Sequence, residues 1–333
     1  MVRVVIATPI EDELVERLRA VDERLDVAYE GDLLPPPRYP CDHAGDPEFR
    51  RTPEQEERFT RLVAGAEVLF GYPREDPSQI AWAVRVAPGL RFVQGTFAGA
   101  GQQLAAAGLT REELDRIAWT SSAGVHATPL AEWSLFGLLA LAKDLPRLLR
   151  DKEQHHWDHY PVDELRGRTV LVVGLGEIGT EVARLAEAFG MTVLSVTRRK
   201  GDLDELLPRA DAVVLTLPLT DETRGLFGRE RLELMPRGAM LVNVGRGGVI
   251  DEDALVAALR DGRLRGAALD VFAQEPLPPD SPLWELDNVI LSPHTAALSR
   301  RENERIVELF ADNLRRYLAG EELRSRIRTD LFY

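Results

Sequence analysis

The sequence predicts an α/β protein made of two doubly wound parallel-sheet domains. Three observations predict it. The chain has 333 residues, 44% of them hydrophobic, which is too long for one ordinary domain and about right for two with proper cores. Short apolar runs alternate with helical stretches, the order expected of a parallel sheet covered by helices. That alternation stops at a long apolar helical stretch and begins again at TVLVVG (169–174).

The elements follow in order. VRVVIA (2–7) is a strand, EDELVERLRAV (11–21) a helix and LDVAY (25–29) a second strand. After the proline-rich LLPPPRYP comes TPEQEERFTRLVAGA (52–66), with Thr52 as N-cap and Pro53 at the first helical position. EVLFGY and RFVQGT are two further strands. TPLAEWSLFGLLALAKDLPRLLRD (128–151) is expected as one long helix, apolar nearly all round, that Pro146 bends or ends. Such a helix is buried on several sides, in an ordinary core or at a domain junction or subunit interface. The second series has TVLVVG, MTVLSV, AVVLTL, MLVNVG, AALDV and NVILS as strands, with helical stretches between most of them. RRENERIVELFADNLRRYLAG (300–320) is the closing helix.

Charge and cysteine content narrow the function classes. The formal net charge of −14 argues against a nucleic-acid backbone or an anionic membrane as the main partner. A few local arginines can still hold a small anion. Cys41 is the only cysteine, so an intrachain disulfide is excluded and a cysteine zinc site is not expected. MVRVVIATPI lacks a signal peptide's order of charged then apolar residues, and no apolar run approaches the roughly 20 residues of a membrane span. The expectation is a cytoplasmic protein. KEQHHWDH contains His155 and His159 at i, i+4, read as an exposed helix end, and no metal is expected.

VLVVGLGEIGTEVARLAEAFG places Gly174, Gly176 and Gly179 in G-x-G-x-x-G spacing between an apolar strand and an amphipathic helix. Gly174 allows the tight turn, Gly176 lets the backbone approach a pyrophosphate, and Gly179 lets helix and strand pack closely. The helix N-terminus offers free N–H groups and a partial positive charge to that anion. The residue that recognises the ribose is expected about 20 positions on. Thr197 takes that place in MTVLSVTRRK, followed by Arg198 and Arg199. A neutral Thr197 removes the carboxylate that would repel a 2′-phosphate, and the two arginines could clamp one. The stretch favours NADP(H), with NAD(H) possible; the alternative is a solvated basic loop that touches only the adenine.

Open α/β sheets bind ligands beyond the carboxyl ends of their strands. Arg246 follows a strand in MLVNVGRGGVIDEDAL, Asp270 and Glu275 follow one in AALDVFAQEPL, and His294 follows one in NVILSPHTAA. These loops lie on the same edge as the glycine turn. His294 suits proton transfer to a carbonyl oxygen, because an imidazole titrates near working pH. Glu275 beside it would stabilise the imidazolium and fix its orientation. Arg246 could hold a substrate carboxylate bidentately and polarise the adjacent carbonyl. Asp270 faces the cofactor or caps a helix.

These segments, with LPLTDETRGLF between them, resemble the D-isomer-specific 2-hydroxyacid dehydrogenase family in order and in motif; weaker similarity extends over FAGAG and GVHATPLAEW. The resemblance implies a flavodoxin-like substrate domain (1–100 and 294–333) and a Rossmann dinucleotide-binding domain (101–293), with catalysis in the cleft. It implies Arg246 on the substrate carboxylate, helped by backbone N–H groups near Ala98 and Gly99, and Glu275 paired to His294 as acid/base. Asp270 would contact the carboxamide end of the nicotinamide. The candidate cofactor contacts also include Glu177, Ile178, Leu217, Pro218 and Val244. The helix at 128–150 looks like the one through which members dimerise. Thr197 departs from the usual NAD-selecting Asp, as in NADPH-preferring glyoxylate/hydroxypyruvate reductases. The segment LLPPPRYPCDHAGDPEFRR matches no named substrate class. The expected activity is reduction of a small 2-oxo acid such as glyoxylate or hydroxypyruvate to the D-2-hydroxy acid. A nucleotide-sensing binding module of the corepressor type, with little turnover, is the alternative.

Overall fold

The computed structural model describes residues 1–73, 76–198 and 200–332. The chain divides into two compact units, Met1–His126 with Leu298–Tyr333, and Ala127–Ala297.

In the first unit β1 (Val2–Ile6), β2 (Leu25–Ala28), β3 (Val68–Phe70), β4 (Phe92–Gln94) and β5 (Ala118–Thr120) form a parallel sheet in the order β2-β1-β3-β4-β5. Both faces are covered, which is why β1 reads as a nearly continuous apolar run. Val4 and Ile6 pack with Leu14, Val15 and Leu18 of α1 (Asp12–Arg19) and with Ile306 and Phe310 of the C-terminal helix (Glu302–Ala319). Val5 and Ala7, pointing the other way, pack with Phe59, Leu62 and Val63 of α2 (Pro53–Ala64), with α3 (Pro77–Val86) and with Leu104 of α4 (Ala100–Ala106). α5 (Arg111–Arg116) adds Leu114. Thr52 caps α2 as its sequence predicts: its hydroxyl accepts from Gln55 N, and the Gln55 side chain accepts from Thr52 N.

The second unit opens with α6 (Ala127–Ala142) and α7 (Leu145–Glu153) where one long helix was expected. The physical reason is Pro146, whose ring would collide with the carbonyl four residues back, that of Ala142. The helix stops there, the Ala142 carbonyl accepts from Asp163 N at 3.0 Å, and Asp144 turns into the left-handed region at φ 54°. Pro146 then lies in the first turn of α7, where no N–H is needed.

The second sheet contains β6 (Thr169–Val173), β7 (Thr192–Val196), β8 (Ala212–Leu215), β9 (Ala239–Asn243), β10 (Leu264–Leu269) and β11 (Val289–Leu291), all parallel, in the order β11-β10-β9-β8-β6-β7. α6 and α8 (Glu177–Ala188) cover one face, against Val170, Val172, Val214 and Val242. α9 (Leu203–Leu206), α10 (Arg229–Leu234) and α11 (Glu252–Arg260) cover the other, against Leu171, Val213 and Leu241. Most of the apolar surface of α6 is therefore ordinary core: a Cβ on Gly137 would stand 2.7 Å from Ala268 Cβ.

The unit boundaries differ from those read in the sequence, 100/101 and 293/294. β5 pairs with β4 through Phe92↔Ala118, which carries the first unit on to His126. His294 belongs to the second unit because its loop is hydrogen-bonded to the end of β10. No helix among the described residues is long and apolar enough to cross a membrane.

Candidate active site

Strand order reverses around β6, whose neighbours are β7 and β8, and the glycine turn lies at that switch point. Gly174 has φ +102°, a conformation L side chains rarely adopt. A Cβ on Gly179 would stand 1.9 Å from Gly174 O, so turn and helix touch. A Cβ on Gly176 would meet nothing within 4 Å. The backbone at Gly176 thus faces open space at the N-terminus of α8, with Glu177 and Ile178 in its first turn. On these observations the residues fit a dinucleotide pyrophosphate.

The loops after β8, β9, β10 and β11 are tied to this turn one after another. Thr216 Oγ1 donates to Gly174 O at 2.7 Å. A Cβ on Gly245 would lie 2.5 Å from Leu217 O and 2.8 Å from Leu217 N, so the Gly245 backbone packs directly on that of Leu217. Asn243, 1% exposed, accepts from Gly245 N and donates to Arg246 O, shaping the loop that carries Arg246. A Cβ on Gly247 would lie 1.9 Å from Phe272 C, so this loop abuts the one carrying Glu275. Arg246 is half-buried, and its Nη1 donates to Gly245 O at 2.7 Å.

His294 Nδ1 and Glu275 Oε2 are 2.7 Å apart, and the other Glu275 oxygen accepts from Phe272 N at 3.0 Å. This arrangement leaves Nε2 as the imidazole nitrogen available to a substrate. His294 has φ 55°, in the left-handed region where His is among the better tolerated residues. Its N–H is shared between Asp270 O and Ser292 O, both at 2.9 Å. The Asp270 side chain, 1% exposed, completes the clamp: Oδ1 accepts from Ser292 Oγ at 2.6 Å and from Thr295 N and Ala296 N at 3.0 Å. Burial pushes the Asp270 carboxyl above the usual carboxylate range, while hydrogen bonds from Ser292 and Ala296 pull the other way. Asp270 therefore holds the His294 loop, a task the sequence reading did not give it.

Thr197 and Lys200 exchange backbone hydrogen bonds of 2.9 and 3.2 Å just past the end of β7, with Arg198 directly after Thr197. Arg199 lies outside the described residues. In the first unit Gly99 precedes α4, and no backbone hydrogen bond of the described residues takes up the N–H of Ala98 or Gly99. His155, His156 and His159 are exposed just past α7, and no metal-holding group of three His, Cys, Asp or Glu occurs among the described residues.

Thr216, Asn243 and Ser292 were not singled out in the sequence, although each was visible as a polar residue closing an apolar strand. Such a position has to find hydrogen-bond partners once buried; Thr216 and Ser292 find them on the neighbouring loops, and Asn243 finds them in the loop it opens.

Comparison with known proteins agrees with this geometry. A family model described as D-isomer specific 2-hydroxyacid dehydrogenase, NAD binding domain, matches residues 135–296. The chain is 39% identical over 220 residues to a glyoxylate reductase of Korarchaeum cryptofilum, across 61% of this chain and 66% of the relative. It is 40% identical over 207 residues to a D-3-phosphoglycerate dehydrogenase of Methanocaldococcus jannaschii, across 58% of this chain and 39% of the relative. The chain thus spans less than two thirds of the length of either curated relative. The crystal structure of a D-isomer specific 2-hydroxyacid dehydrogenase from Xanthobacter autotrophicus Py2, in complex with NADPH and MES, superposes with a TM-score of 0.75 at 30% identity, over 99% of each chain. The chain belongs to the D-isomer specific 2-hydroxyacid dehydrogenase family.

Proposed function

We propose that this protein reduces a small 2-oxo acid, of the size of glyoxylate or hydroxypyruvate, to its D-2-hydroxy acid, and that it prefers NADP(H) to NAD(H). The single observation that carries the reading is the 2.7 Å His294–Glu275 pair, held on the same strand-end edge as the glycine turn. The bound nicotinamide would supply the hydride. His294 gives its Nε2 proton to the substrate oxygen as negative charge develops there, and takes it back in the reverse direction. Glu275, bonded to Nδ1, stabilises the imidazolium before that transfer and fixes the ring. Arg246 pairs with the substrate carboxylate through guanidinium N–H groups other than the one bonded to the Gly245 carbonyl. The Ala98 and Gly99 amides are further carboxylate donors on the strength of the resemblance. Leu217, Pro218 and Val244 are apolar contacts for the cofactor, and Asp270 takes its carboxamide end.

The cofactor preference is supported by the neutral Thr197 followed by Arg198, and by NADPH in the Xanthobacter relative. The substrate class is supported by the glyoxylate reductase of Korarchaeum. A homodimer through 128–150 is supported by Phe136 on α6 and by Leu148 and Leu149 on α7, large apolar side chains that stay 46%, 46% and 57% exposed. A cytoplasmic location belongs to the same proposal. Steady-state turnover on a panel of 2-oxo acids, each with NADPH and NADH, tests the reading. The expected outcome is turnover on short 2-oxo acids with a higher kcat/KM for NADPH. Absence of turnover with cofactor binding intact would refute it and favour a nucleotide-sensing module.

A further inference from the structure

Arg198, the proposed partner of a 2′-phosphate, already has one. Its Nη2 donates to Glu222 Oε1 at 2.6 Å, with the two side chains 74% and 65% exposed. Arg198 directly follows Thr197, whose backbone is hydrogen-bonded to that of Lys200. Glu222 stands in a turn after β8 in which Thr220 N donates to Thr223 Oγ1 at 2.8 Å, Thr223 Oγ1 donates to Pro218 O at 2.7 Å, and Arg224 N donates to Thr220 O at 2.9 Å. In the sheet β7 and β8 flank β6, so the pair reaches across the strand that carries the glycine turn.

We propose that Glu222 is a specificity-determining residue that competes with the cofactor's 2′-phosphate for the Arg198 guanidinium. The inference rests on the proposed NADP(H) preference and deepens it. An exposed carboxylate–guanidinium pair is weak in water, so the exchange is reversible. A phosphate binds a guanidinium in the same bidentate manner with more charge, so it can displace the carboxylate. An incoming 2′-phosphate has to break the Glu222–Arg198 pair before it can take the guanidinium, whereas a ribose hydroxyl leaves that pair in place. Glu222 therefore narrows the preference that Thr197 and Arg198 would otherwise set, leaving NAD(H) usable.

The test is calorimetric titration of the full chain with 2′,5′-ADP and with 5′-AMP, for wild type, Glu222→Gln, Arg198→Ala and the double variant. Glu222→Gln should bind 2′,5′-ADP about two- to fivefold more tightly, with 5′-AMP changed less than about twofold. That gain should vanish when Arg198 is also alanine. Unchanged or weaker 2′,5′-ADP binding in Glu222→Gln would overturn the proposal, and so would a gain that persists without Arg198. The two readings fail separately. A wild type that binds both nucleotides equally rejects the NADP(H) preference, and the Glu222 inference still stands if Glu222→Gln then gains phosphate selectivity.

Discussion

Replacing Asp270 by alanine and by asparagine should give sharply different proteins. Alanine removes the acceptor for Ser292 Oγ, Thr295 N and Ala296 N together. Ser292 is buried, so its hydroxyl bears most of the penalty for an unpaired donor, roughly 1–2 kcal/mol; it keeps only a 3.2 Å contact with Thr295 Oγ1. The two amides lie nearer solvent and lose about 0.5–1 kcal/mol each. Relief of the buried charge offsets part of this, so Asp270→Ala should cost about 2–3 kcal/mol. Asp270→Asn keeps a neutral acceptor and also removes the charge, so it should lie within about 1 kcal/mol of wild type.

The pH dependence follows from the raised carboxyl. A group whose folded pKa lies above its unfolded value favours folding while protonated, and that contribution is lost as pH rises through the folded value. Wild type should therefore lose stability relative to Asp270→Asn as pH climbs from the ordinary carboxylate range upward. Urea denaturation at several pH values measures both effects, and amide exchange at 294–296 reports the loop. An Asp270→Ala cost below about 0.5 kcal/mol with unchanged exchange would refute the clamp.

Other expectations follow from the same contacts. His294→Gln should lower kcat by roughly 10²–10⁴ while the cofactor Kd, read by fluorescence, changes little; near-normal kcat would remove His294 from proton transfer. Glu275→Gln should lower kcat/KM by about tenfold or more, since a charge-assisted bond to the imidazole becomes a neutral one. Gly176→Ala should leave stability within about 0.5 kcal/mol, because the new methyl meets open space, yet weaken cofactor binding measurably by titration. Gly179→Ala should cost about 1–3 kcal/mol by denaturation, because its Cβ would collide with Gly174 O. Thr197→Asp should weaken NADP+ binding by about tenfold or more and spare NAD+, as seen by calorimetry.

Much of this could be read from local pattern. The β1 and β6 runs, the Thr52 cap, the glycine spacing and the polar residues after β9, β10 and β11 are short-range signals, and the structure has elements where they fall. β5 escaped because three residues carry no readable alternation, and its place follows from pairing with β4. The break before Pro146 was legible as an event but not in position, since the collision acts four residues upstream.

The sequence by itself determined the element order, the glycine turn and which residue types follow each strand, because these depend on side-chain period, backbone freedom and propensity within a few residues. Only the tertiary structure decided that the Asp270 carboxylate holds the His294 loop and that Glu222 meets Arg198. Those contacts join residues on separate loops, and which loops become neighbours depends on strand order in the sheet, which no short stretch of chain encodes.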